Sequence, residues 1–163
     1  MKHLILILFF SYINLSSFAQ IKKAEIIAIG LTCSMCSNAI NKQLKTIDNV
    51  DSVITDLNTN TFSVYLKSEN TSEPNMFKEK VEKAGFFIGS LILELNSNIL
   101  TTENSAFINI NKQEIKNKNV STIKILDKGY VTEREYKKLV KQYAKIESYS
   151  KEDENNYHFK IIN

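Results

Sequence analysis

"IGLTCSMCSNAI", residues 29–40, holds both cysteines of the chain, Cys33 and Cys36, two residues apart. Upstream, "KKAEIIAIGL" (residues 22–31) is a continuous Ile-rich apolar run and reads as a buried strand. Downstream, Cys36, Ala39, Ile40, Leu44 and Ile47 recur at the spacing of one helical face. The stretch is therefore a strand-to-helix junction. Cys33 falls in the loop, and Cys36 in the first helical turn.

Working outward, "VDSVITDL" and "TFSVYL" are β-branched and aromatic-rich, and Asn58-Thr59-Asn60 joins them as a hairpin turn. "SEPNMFKEKVEKAG" predicts a second helix: Pro74 suits its first turn, Phe77, Val81 and Ala84 form its buried face, and Gly85 ends it. "FFIGSLILEL" closes the series as a strand. The order strand-helix-strand-strand-helix-strand is the split βαβ, or ferredoxin-like, arrangement, with two helices on one face of an antiparallel sheet.

A polar stretch, "NSNILTTENS", reads as a linker in which Ile99 and Leu100 are able to pack. Beyond it, "AFININ" and "VSTIKILDKG" read as strands, and "TERE" (residues 132–135) is a capping box. The helix it opens has a face of Tyr136, Leu139, Val140 and Tyr143, and "NYHFKII" is a last strand. The fold class expected is α+β: a ferredoxin-like βαββαβ sandwich followed by a small ββαβ unit. The divisions are a signal peptide at 1–19, the first domain at 20–95, a linker at 96–105 and a C-terminal domain at 106–163. About 60 residues are few for a self-sufficient core, so the last unit is expected to lean on the first or on a partner.

The N-terminus, "MKHLILILFFSYINLSSFAQ", has a basic start, an apolar core and a small-x-small end at Ser17-Phe18-Ala19. This predicts cleavage before Gln20 and a periplasmic or secreted protein without stable membrane insertion. Ser11, Asn14, Ser16 and Ser17 interrupt the apolar run well short of the ~20 residues a spanning helix needs. The composition of the whole chain is that of a globular protein, with 43% hydrophobic and 24% charged residues. A formal charge of +3, without a basic stripe carrying interleaved aromatics, argues against nucleic acid.

A helix N-terminus favours anions, so thiols there are expected to have depressed pKa values, and thiolate is the metal-binding form. Two thiolates without a neighbouring His, Asp or third Cys suit low-coordinate Cu(I), or another soft heavy metal ion. Structural zinc wants four ligands, which this chain does not supply locally. Two other readings stay open: a thiol-disulfide redox pair, favoured by export, and a small structural disulfide, whose short loop gains little closure stability.

"GLTCSMC" resembles the G-M-T-C-x-x-C signature of the heavy-metal-associated domain, found in copper chaperones and at the N-termini of metal-transporting ATPases. The resemblance covers residues 22–95 and implies the βαββαβ fold. Gly30, Thr32, Cys33 and Cys36 match as they stand, and Leu31 replaces the usual Met with a hydrophobe of similar size. "KAGFFIGS" resembles the family's segment before the last strand and implies Phe86 beside the metal loop. Zinc-selective members often carry an acidic residue just before the first Cys. Thr32 at that position favours Cu(I).

The function implied is Cu(I) binding by Cys33 and Cys36, with transfer or sequestration. Partners would be copper-transport or cysteine- and methionine-rich copper proteins, or a second copy bridged through the metal. Met35, between the cysteines, is expected to face solvent, as its family counterpart does. His158 reads as a packed or surface residue, His3 goes with the signal peptide, and Glu152-Asp153-Glu154 reads as a solvated turn. No nucleophile-base pattern or phosphate loop stands out, so the expectation is a binding protein and no enzyme.

Overall fold

The computed structural model describes residues 21–68, 70–102, 105–115, 119–150 and 156–162. The expected signal peptide, with His3, and the acidic cluster Glu152-Asp153-Glu154 lie outside the described residues. The first half runs β1 (Ile21–Ile29), α1 (Ser34–Leu44), β2 (Val50–Asp56), β3 (Thr61–Leu66), α2 (Pro74–Lys83) and β4 (Phe87–Asn96). The second half adds α3 (Ser97–Thr101), β5 (Phe107–Asn109), β6 (Val120–Ile125), α4 (Glu133–Gln142), α5 (Glu147–Ser150) and β7 (Tyr157–Ile161).

The seven strands form one sheet in the order β2-β3-β1-β4-β6-β7-β5. Its first four strands have the ferredoxin-like order, with β1 antiparallel to both β3 and β4. The C-terminal strands continue this sheet: β6 pairs antiparallel with β4 from Ile92↔Lys124 to Asn96↔Val120. In the segment read as a linker, Asn96 caps α3 by accepting from the Asn98 amide. There Ser97 Oγ meets Ser121 Oγ at 2.8 Å and Leu100 is buried. The second unit leans on the first through main-chain pairing and a common core.

Strand alternation explains that core. Ala24, Ile26 and Ala28 of β1 and Leu91, Leu93 and Leu95 of β4 are buried, whereas their neighbours in sequence are only half-buried or exposed. On the covered face lie Ile40 and Leu44 of α1 and Phe77 and Val81 of α2, and the cluster runs on to Ile123, Ile125 and Phe159. Burying a Phe or Leu side chain contributes about 1.5–3 kcal/mol each. Lys124, alternating with Ile123 and Ile125, points to the opposite face and reaches Glu135 of α4 at 2.7 Å. α4 thus lies over the other face, where Tyr136, Leu139, Val140 and Tyr143 pack around Ile110, Leu126 and Tyr149. Thr132 caps α4 by accepting from the Glu135 amide at 3.2 Å.

Two glycines hold turns that matter to the site. Gly85 (φ +87°) ends α2, and Gly30 (φ +88°) turns β1 into the cysteine loop; both take the left-handed conformation that side chains resist. α1 stops at Leu44, short of the Ile47 that its apolar period reaches. Ile47 is nevertheless buried, just past the helix end, where its amide donates to the Leu44 carbonyl.

Candidate metal site

The cysteine loop sits where β1 ends and α1 begins. Cys33 has extended backbone (φ −156°, ψ 161°) and is the N-cap residue, but its side chain makes no capping hydrogen bond. Its carbonyl accepts from the Cys36 amide at 3.1 Å, which folds the loop back on itself. The two sulfurs consequently lie 2.9 Å apart as free thiols in hydrogen-bond contact, either one being able to donate. Cys33 is exposed and Cys36 half-buried.

The Cys36 thiol is held below its ordinary pKa, first by the hydrogen bond from Cys33 and then by the Thr32 backbone. The direction is the one expected of a thiol at a helix N-terminus, and its leading causes are these local hydrogen bonds. Leu31 packs against the core beneath the loop, and a Cβ built on Gly30 would lie 3.9 Å from the Phe86 ring. Phe86 is thus beside the loop, as the resemblance implies.

Met35 is 80% exposed and faces solvent. Leu57 and Asn60, from the β2–β3 turn, border a shallow cavity of about 260 Å3 with Leu31, Thr32 and Cys33. Among the described residues no group of three or more His, Cys, Asp or Glu side chains gathers around a common point. The donor set at this loop is therefore two sulfurs. It suits a soft ion of low coordination and falls short of a four-ligand zinc cage. An ion between them requires the sulfurs to part from their contact, and the exposed Cys33 side chain has solvent to turn into.

His158, by contrast, is 1% exposed, with Nδ1 2.8 Å from Asp127 Oδ1 and Nε2 3.0 Å from Ser148 Oγ. It lies far along the sheet from the cysteines, on β7. Sequence reasoning placed it as packed or on the surface; it is packed. It had no means of finding Asp127 and Ser148, because one comes from the loop after β6 and the other from the short helix α5.

Residues 25–87 match the model of the Heavy-metal-associated domain. No curated protein matches the chain. Among solved structures, the yeast copper transporter domain Ccc2a, studied in apo and Cu(I)-loaded states, is 32% identical. That match covers 40% of this chain and 88% of that one, with a TM-score of 0.37. The N-terminal domain of a potential copper-translocating P-type ATPase from Bacillus subtilis, in its Cu(I)-loaded state, is 30% identical over 41% of this chain and 82% of that one (TM-score 0.37). A chain of the Atx1-Cu(I)-Ccc2a complex is 32% identical over 40% and 88%, with a TM-score of 0.35. The family-model match and the sequence identity make the chain a member of the heavy-metal-associated domain family, through its first half. Among the described residues no helix is long and apolar enough to cross a membrane.

Proposed function

We propose that this is an exported protein that binds one Cu(I) between the sulfurs of Cys33 and Cys36 and hands it to, or withholds it from, another copper protein. The observation that carries the reading is the convergence of two thiols on one exposed loop, 2.9 Å apart, with no third donor gathered to them among the described residues. Low-coordinate thiolate sites accept Cu(I) in preference to ions that need a fuller shell. An exposed Cys33 also leaves room for an incoming thiolate, so the ion can pass by ligand exchange without being released to water. The Cu(I)-bearing relatives and the Atx1-Cu(I)-Ccc2a complex support both the metal and a protein partner for the exchange. On this reading the protein is a carrier and not a catalyst.

X-ray absorption at the copper edge of the Cu(I)-loaded chain tests the ligand set. A first shell of sulfur alone, lost in Cys33→Ser, supports it; a shell of nitrogen or oxygen would sink it. Export is tested by expressing the full chain in its host and sequencing the processed N-terminus, which should begin at Gln20.

A second reading draws on the same contact. Thiols in hydrogen-bond range, one with a lowered pKa, are also suited to cycling between dithiol and disulfide, and an oxidising compartment would favour the disulfide. Insulin reduction that depends on both cysteines would favour this role.

A further inference from the structure

Residues 133–145, which hold α4 and the turn after it, carry five cations, Arg134, Lys137, Lys138, Lys141 and Lys145, against two carboxylates, Glu133 and Glu135. All five cations are exposed. Both carboxylates are engaged: Glu135 Oε1 stands 2.7 Å from Lys124 Nζ, and Glu133 Oε1 3.6 Å from Lys137 Nζ. Arg134, Lys138, Lys141 and Lys145 have no ion-pair partner among the described residues. Arg134, Lys138 and Lys141 follow at i, i+4 and i+7, so they share one side of the helix. Lys145 comes four residues later, just past the helix end. The result is a stripe of positive charge that no carboxylate of α4 neutralises.

The other side of α4 is occupied by the sheet. Tyr136, Leu139, Val140 and Tyr143 pack around Ile110, Leu126 and Tyr149, and Tyr143 Oη donates to Asn111 Oδ1 at 2.7 Å. Tyr136 and Tyr143 interleave the cations in sequence, but both rings lie against Tyr149. They are not offered for stacking on nucleic-acid bases. No large apolar side chain of this segment stands exposed either. A specific protein interface draws on desolvated anchors, commonly aromatic, which the stripe lacks. An anionic lipid surface asks only for clustered cations on long side chains, typically about four to eight of them on an amphipathic helix.

α4 also starts beside the cysteine loop. Its cap Thr132 and Ile29, the last residue of β1, both reach Gly89 of β4. A Cβ built on that glycine would lie 3.6 Å from Thr132 Cγ2 and 2.6 Å from Ile29 Cγ2. Val131, just before the cap, bridges to Ser90 of the same strand. A surface that holds α4 therefore holds the loop of Cys33 and Cys36 near it.

We propose that Arg134, Lys138, Lys141 and Lys145 adsorb the chain to an anionic phospholipid bilayer, reversibly and without insertion, with the cysteine loop held close to the membrane surface. Adsorption does not require copper, so it stands or falls apart from the proposed metal site. The test uses the reduced, metal-free chain from Gln20 onward, which contains every described residue and lacks the apolar stretch at 4–10. Glu152, Asp153 and Glu154 are present in it, so their charge counts in the result. The chain is sedimented with phosphatidylcholine vesicles that do or do not contain phosphatidylglycerol. Saturable binding to the phosphatidylglycerol vesicles alone is expected, weakening as salt rises. Lys138→Gln/Lys141→Gln should lower the affinity about ten-fold or more, since each cation at an anionic surface contributes a gain of about five-fold. Lys42→Gln/Lys45→Gln makes the same change in net charge at the exposed end of α1, on the opposite face of the sheet. That variant should bind as the wild type does, and so should Cys33→Ser. No binding, equal binding to phosphatidylcholine alone, or equal losses in the two double variants overturns the proposal. A DNA duplex or a Glu-rich peptide bound more tightly than the vesicles overturns it too, by assigning the stripe to a different partner.

Discussion

His158 donates its backbone amide to Asp127 Oδ2 at 2.6 Å while its ring Nδ1 meets Asp127 Oδ1 at 2.8 Å. Ser148 on Nε2 completes the atom order of a hydrolytic triad. The ring is only 1% exposed, however, and Tyr149 packs edge-on against it at 5.0 Å, so a substrate carbonyl has no approach to Nε2. The linkage instead fastens β7 to the exit of β6 and to α5. His158→Ala should lose about 2–4 kcal/mol of stability, the cost of a cavity plus buried polar groups left unpaired. Urea unfolding measures it, and a loss under about 1 kcal/mol would contradict the structural role.

Thr132 holds the start of α4 through the Glu135 amide. Thr132→Ala is expected to cost about 1 kcal/mol, and Thr132→Asn much less, since Asn also accepts at an N-cap. Denaturant midpoints of the two variants should separate accordingly; equal midpoints would mean that the cap contributes nothing.

The β2–β3 turn makes a pH-dependent contribution. Asp56 accepts from the Asn58 amide at 2.8 Å and from Thr59 Oγ1 at 2.9 Å, and these bonds hold its carboxyl below the ordinary value of 3.8. A depressed folded-state pKa stabilises the protein above the unfolded value, and that contribution is lost as pH falls through the folded one. The window therefore lies below about pH 3.8. Asp56→Asn keeps an acceptor for the Asn58 amide but does not titrate. Its urea midpoint should decline less steeply with acid than that of the wild type.

Because the bond from Cys33 is the leading cause of the lowered Cys36 pKa, the remaining thiol reports on it. In Cys33→Ala the donor is gone and the Cys36 thiolate, followed by its ultraviolet absorbance, should form at higher pH than in Cys33→Ser, whose hydroxyl still donates. Identical titrations would remove Cys33 from that role.

The first half was legible because its signals are local. Apolar alternation in β1 and β4, Pro74 at the start of α2 and Gly85 at its end each specify an element within a few residues. The GxTCxxC loop was legible in the same way: the strand-helix junction alone brings Cys33 and Cys36 together. What lay beyond reach was long-range. Nothing in residues 120–125 says that they pair with β4 rather than begin a separate sheet, because a half-buried strand alternates alike in either setting. The short α3 escaped because its five residues carry an Asn cap and one buried Leu inside a Ser/Thr/Asn-rich run that resembles a loop.

The central claim is that Cys33 and Cys36 together hold one Cu(I). Anaerobic titration of the fully reduced chain with Cu(I), against a competing chromogenic chelator, tests it most directly. The account predicts tight uptake ending at about one copper per chain, abolished by Cys33→Ser and by Cys36→Ser, as a site built from both thiolates requires. Reduced wild-type protein that takes no copper from the chelator, or that binds equally well without either cysteine, would contradict it.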